Sequence, residues 1–202
     1  MSILKNTNNK TMCKTMSKNQ KKYEAIIFDL DGTLYDTAQT DILLKQLRQV
    51  KRMSPEWQEI WKAIDKSIDT YREYDGIADV LNYIRENDVK AVIVTGAVKR
   101  RTNKLKRFNL PVVGIVSRFD VGHRKPHPAP MLRGLEILGC DASKVLSIGN
   151  QVIDMLASKA AGIDFALATW GVKEHEREQL LQESDYVLEN PREILDFYRK
   201  DA

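Results

Sequence analysis

Asp29 and Asp31 close the apolar run AIIFDL (25–30) and are followed at once by Gly32 and Thr33. Two acids at the end of an apolar strand are costly to bury without a cation, so their position asks for chemistry. Asp29 can act as a nucleophile, giving an acyl phosphate that splits one hard transfer into two easier steps. Asp31, on the opposite side of the strand from Leu30, could protonate a leaving oxygen and then take a proton from water. Gly32 permits a tight turn that brings backbone N–H groups close to an anion. Thr95 and Gly96 close a second run, KAVIVTGA (90–97), and Lys125 stands in the turn RKPHPAP. Thr95 and Lys125 would bind phosphoryl oxygens and stabilise the charge spread over them, with Gly96 beside them in the substrate site. Asn150 ends a third run, KVLSIGN (144–150), and Asp154 follows a turn later. Asp154 with Asp29 makes a hard-oxygen site suited to Mg²⁺, which usually keeps several waters.

These groups converge only if the runs that carry them are parallel strands of one sheet. Short apolar β-rich runs alternate with helical patterns from Tyr23 onward, which predicts an α/β chain. Strands are expected at 25–30, 90–97, 112–117, 144–150 and 165–169, and the crevice beyond their carboxyl ends is the usual ligand site. Helices are expected over 38–51, 55–74, 77–87, 98–108, 129–139, 152–161, 174–182 and 191–199. Ser54 followed by Pro55 reads as a helix start. Trp57, Ile60, Trp61, Ile64 and Ile68 then share one face, read as a packing stripe before a lid contact. Lys99, Arg100, Arg101, Lys104, Lys106 and Arg107 read as a solvated basic helix face. His123, Arg124 and His127 flank Lys125, where a role in substrate recognition is the alternative to plain surface. Three scattered histidines make no zinc constellation.

DLDGTLYD, VIVTG, RKPHP and IGNQVID resemble, in order and spacing, the four motifs of the haloacid dehalogenase superfamily. The resemblance covers about Tyr23 to Phe197 and is nearest to the phosphoglycolate phosphatase branch. It implies a Rossmann-like parallel sheet with flanking helices and a Mg²⁺-dependent phosphatase acting on a small phosphorylated metabolite. By resemblance Asp29 is the nucleophile, Asp31 is acid/base and also a metal ligand through its carbonyl, and Thr95 and Lys125 bind phosphate. The fourth motif supplies further coordination from Asn150 and Asp154. Asn150 stands where the family commonly has an acid, which removes one negative charge from a hard-cation site. Two rivals follow. One is a catalytically weak protein that keeps the fold for binding or regulation. The other is a metal-free 2-haloacid dehalogenase, against which Asp31 weighs, because a halide leaving group needs no proton.

The division expected is a tail (1–22), a core (23–36 and 75–202) and a small helical cap (37–74) between the first two motifs. The branch usually carries a larger cap, so a reduced one implies a more open site, a larger substrate or completion by a second copy in a homodimer. Caps exclude water and set specificity. The formal charge of +4 points toward nucleic acid only until it is located. The tail holds six lysines and no acid, which leaves the body at −2. Such a tail is expected to be disordered, and Met16 reads as a natural start. Absence of an 18-residue apolar stretch argues against a membrane span, and absence of a leader-like start argues for a cytoplasmic protein. Cys13 and Cys140 cannot frame a disulfide scaffold.

Overall fold

The computed structural model describes residues 23–199; the tail and the Met16 reading lie outside the described residues. In chain order the elements are β1 (Ala25–Phe28), β2 (Tyr35–Asp36), α1 (Ala38–Leu47), α2 (Pro55–Ser67) and β3 (Arg72–Glu73). There follow α3 (Ile77–Glu86), β4 (Lys90–Val94), α4 (Lys99–Lys104), β5 (Gly114–Val116), α5 (Ala129–Leu138) and β6 (Val145–Gly149). The chain closes with α6 (Val152–Ala160), β7 (Asp164–Ala168), α7 (Glu174–Glu183) and β8 (Tyr186–Leu188). Six strands form one parallel sheet in the order β5-β4-β1-β6-β7-β8. This is the expected Rossmann-like α/β architecture. No helix among the described residues is long and apolar enough to cross a membrane.

The centre of the sheet explains where the chemistry must sit. β1, β4 and β6 are adjacent, and their residues are buried on both faces, as continuous apolar runs require in a parallel sheet. Ile26, Phe28 and Ile93 pack on one side with α3 and the C-terminal 3-10 turn. Ile27, Val92 and Val94 pack on the other with Met131 and Leu138 of α5. Gly134 of α5 admits this approach, since a Cβ there would stand 3.0 Å from Ile27 Cδ1. Asp29 directly follows β1, and its N–H still donates to the Ile148 carbonyl of β6 at 2.8 Å.

Between β2 and β3 the chain makes α1 and α2, which pack on one another. Ser54 caps α2, accepting from the Trp57 N–H at 3.1 Å, as the Ser-Pro start predicts. The predicted helix over 55–74 ends sooner: a 3-10 turn at Ile68–Thr70 leads into β3, which pairs antiparallel with β2. Two-residue strands carry no period to read, and β8 was missed for a similar reason. The closing segment Pro191–Phe197 is 3-10 rather than α. Of the apolar stripe on α2, Ile64 is buried, and Ile68 just beyond it, while Trp57 and Trp61 are half-buried and meet edge to face at 5.7 Å.

One expectation is corrected in part. Lys99, Arg100, Lys106 and Arg107 of the basic segment after β4 are exposed, as a solvated face requires, but the segment also turns cations toward the insert. Arg101 is buried, Arg100 and Lys104 both pair with Asp65 of α2, and Arg107 pairs with Asp69. The segment fastens the two-helix insert to the sheet because the insert presents acids to it.

Candidate active site

Three strand ends meet over the sheet, and a lysine joins them. Lys125 Nζ donates to Asp29 Oδ1 at 2.7 Å, to Asp154 Oδ1 at 2.5 Å and to the Val94 carbonyl at 3.0 Å. The side chains of all three charged residues are at most 6% exposed. Burial and the nearby Asp154 charge push the Asp29 carboxyl well above the usual carboxylate range, while Lys125 pulls it part of the way back. Burial alone would depress the Lys125 ammonium, but Asp154 and Asp29 outweigh it and hold it above its ordinary value.

Asp154 is placed by the start of α6. Its Oδ2 accepts the Gln151 N–H at 3.1 Å in a reciprocal capping box, and its Oδ1 takes Lys125. Each oxygen accepts one hydrogen bond and keeps a further lone pair. Asp154 thus aims Lys125 at Asp29, a task the sequence did not show beside the cation role expected of it.

Asp31 lies one strand position on. It pairs with Arg101, and Thr95 Oγ1 approaches its Oδ2 at a long 3.5 Å. Thr95 is set by its own turn, accepting the Ala97 N–H at 3.0 Å. Arg101 Nε also donates to Tyr71 Oη at 2.5 Å, and Thr40 Oγ1 lies 3.4 Å from the same oxygen. Sequence reasoning missed Arg101 and Tyr71. The available signal was position 101 falling on the inner side of a short helix, hidden among five other basic residues.

Asn150 does something a charge count could not show. Its Nδ2 donates to the Gly171 carbonyl at 2.7 Å, and its Oδ1 accepts from Thr33 Oγ1 at 3.2 Å. Trp170 Nε1 donates to the Thr33 carbonyl at 2.9 Å, so the loop after β7 is clasped to the turn that follows β1. The contact is close enough to need glycine on both sides. Gly32 has φ +83°, and a Cβ on Gly171 would fall 1.7 Å from the Gly32 carbonyl oxygen. An aspartate at position 150 would lack the donor for Gly171.

Thr95, Gly96 and Lys125 form the inner wall of a cavity of about 610 Å³, which continues past His123, Arg124 and Arg118 to Arg48. His123 and His127 stack at 3.9 Å beside it. The structure thus brings Asp29, Asp31, Thr95, Lys125, Asn150 and Asp154 to one sheet edge, with Gly32 in the turn above. A profile of haloacid dehalogenase-like hydrolases matches residues 39–168. The chain belongs to the haloacid dehalogenase-like hydrolase family. Among curated relatives it is 30% identical to pyrophosphatase PpaX of Bacillus velezensis, over 87% of this chain and 96% of that protein. It is 28% identical to a phosphoglycolate phosphatase of Xylella fastidiosa, over 82% and 89% of the two chains. Its fold matches that of CbbY from Rhodobacter sphaeroides, solved with phosphate, at a TM-score of 0.68 and 19% identity over 85% and 96%.

Haloacid dehalogenase-like phosphatases generally use a divalent metal, and the donors left over here suit a hard cation. Among the described residues, Asp29 Oδ2 and the Asp31 carbonyl have no hydrogen-bond partner, and Asn150 Oδ1 accepts a single bond. All three are oxygens, which suits Mg²⁺ with water completing its shell. No cluster of three or more His, Cys, Asp or Glu side chains that could hold a metal exists among the described residues. A cation there would draw on the Asp29 and Asp154 carboxylates, the Asp31 carbonyl and the Asn150 amide oxygen.

Proposed function

We propose that this hydrolase is a Mg²⁺-dependent phosphatase that cleaves a phosphate monoester of a small metabolite through a phospho-Asp29 intermediate. The observation that carries the reading is the buried Asp29–Lys125–Asp154 cluster standing beside Asp31 and opening onto a cavity with no acidic residue in its wall. Relatives named as phosphatases of phosphoglycolate and N-acetylmuramic acid 6-phosphate support the monoester class, and a pyrophosphatase relative supports a small phosphorylated substrate.

Lys125 fixes the Asp29 carboxylate through Oδ1, so that one oxygen attacks phosphorus while the other is left for the cation. As the P–O ester bond breaks, Asp31 gives its proton to the departing oxygen. Lys125 and Thr95 bind the equatorial oxygens, where charge develops. Asp31, now a carboxylate, takes a proton from water, which attacks the phospho-aspartate and regenerates Asp29 with release of phosphate. Mg²⁺ held by Asp29, the Asp31 carbonyl, Asn150 and Asp154 would supply charge neutralisation at the phosphoryl group. The insert at 37–74 serves as the cap, and its small size suits an open cavity or completion by a second copy. Hydrolysis of p-nitrophenyl phosphate with Mg²⁺ tests the reading. Asp29→Asn is expected to abolish turnover, and undiminished turnover in that variant defeats it.

A further inference from the structure

We infer that Arg48, Arg118 and Arg124 form a second anion subsite, which selects phosphate monoesters bearing a further carboxylate or phosphoryl group. The inference rests on the phosphatase reading, since it names the substrate class of the same cavity.

The three guanidinium groups come from separate places. Arg48 follows α1 in the insert, Arg118 follows β5, and Arg124 precedes Lys125 in the turn. All three line the one cavity, and no Asp or Glu lines it with them. Arg100, Arg101, Arg107, Arg133 and Arg192 each pair with a carboxylate, whereas among the described residues Arg52, Arg72 and Arg177 do not, so it is the shared cavity that sets Arg48, Arg118 and Arg124 apart. Among the described residues Arg48, Arg118 and Arg124 pair with none. Arg118 is the most telling. It lies half-buried with its guanidinium 5.4 Å from the Phe119 ring centroid, and its Nε is buried with no hydrogen-bond partner. Burial, then Arg124, then Arg48 hold it below its ordinary basicity. Like charges turned toward one space, with a donor left over, cost stability unless an anion arrives to meet them.

Geometry sets what that anion must be. Lys125 and Thr95 occupy the inner wall and take the scissile phosphoryl group, so the arginines face the rest of the substrate. Arg124 is the chain neighbour of Lys125, which keeps the two anions of a short substrate within reach of both. A guanidinium fork matches a carboxylate or phosphate bidentately, and a neutral arm gains nothing from it. Arg48 brings the insert into the same subsite, so an anionic arm would also draw the insert toward the sheet.

Binding to the full chain carrying Asp29→Asn reads the subsite without turnover. Titration calorimetry with 2-phosphoglycolate, propane-1,3-diol bisphosphate and ethyl phosphate is the measurement. Each ligand with an anionic arm is expected to bind about tenfold or more tighter than ethyl phosphate, from one charge-assisted contact. The stronger of the two identifies carboxylate or phosphoryl as the preferred arm. Adding Arg118→Gln or Arg124→Gln should remove most of that preference, and the exposed Arg124 is the variant least able to disturb folding. Equal affinity for all three ligands overturns the inference, as does a preference that survives both substitutions. Should wild-type protein hydrolyse no monoester, the phosphatase reading falls while the binding comparison still decides the subsite.

Discussion

Replacing Lys125 by Met is the sharpest perturbation this site allows. The substitution keeps much of the side-chain volume and removes the only cation between two carboxylates whose side chains are 6% and 1% exposed. Nζ lies 2.7 Å from one oxygen and 2.5 Å from the other, so those oxygens stand within about 5 Å of each other. Two negative charges at that separation repel by about 3 kcal/mol at an effective dielectric constant near 20. Breaking a buried ion pair by removing one partner typically costs about 3–5 kcal/mol, and the two figures agree. Urea denaturation without divalent metal should therefore show Lys125→Met less stable by about 3–4 kcal/mol, a midpoint shift of roughly 1–2 M. Adding Asp154→Asn to it removes the repulsion and should restore most of that loss. A Lys125→Met protein within about 1 kcal/mol of wild type would refute the reasoning, and so would a double variant no better than the single one.

Two further outcomes follow from the contacts around the acids. Arg101→Gln leaves Asp31 and Tyr71 without their shared partner, and Tyr71→Phe removes one end of the same contact. The two substitutions should be non-additive in stability by about 1 kcal/mol in urea melts, and strict additivity would show that the contact carries no coupling. Asn150→Asp loses the donor to the Gly171 carbonyl and should destabilise the protein by about 1–3 kcal/mol in chelator. Its added charge should then make melting temperature respond to Mg²⁺ more steeply than in wild type, and an identical response would remove Asn150 from the cation site.

What could be read from the sequence divides along physical lines. β1, β4 and β6 were legible because burial on both faces of a parallel sheet demands unbroken apolar runs. Asp29, Asp31, Thr95 and Asn150 were found because they end those runs, where side chains stop packing and begin to face the crevice. Lys125 came from its turn. Asp154 was found, but its hold on Lys125 and its capping box were not, since they depend on how α6 begins in three dimensions. Arg101 was lost among neighbours of the same charge, because composition cannot tell which of six basic residues a short helix turns inward. Arg48 and Arg118 stand outside regular elements, so no period marks them. Only the folded cavity puts them in one wall.

The contacts of Arg101 also bear on how the insert and the chemistry communicate. Asp31 is joined through Arg101 to Tyr71, Tyr71 is approached by Thr40 of α1, and Thr40 is 2.6 Å from Ser67 at the end of α2. Both insert helices therefore reach Asp31 through buried polar groups, in a setting where an unpaired group is costly. The outer contacts are of another kind. Arg107 with Asp69 and Lys173 with Asp41 are exposed pairs of small worth, easily exchanged with water. Movement of α1 and α2 would cost little at the rim and most at Tyr71. Insert position and the orientation of Asp31 are thus coupled at one buried hydroxyl, and Arg48, in the cavity wall, caps the same helix that carries Thr40.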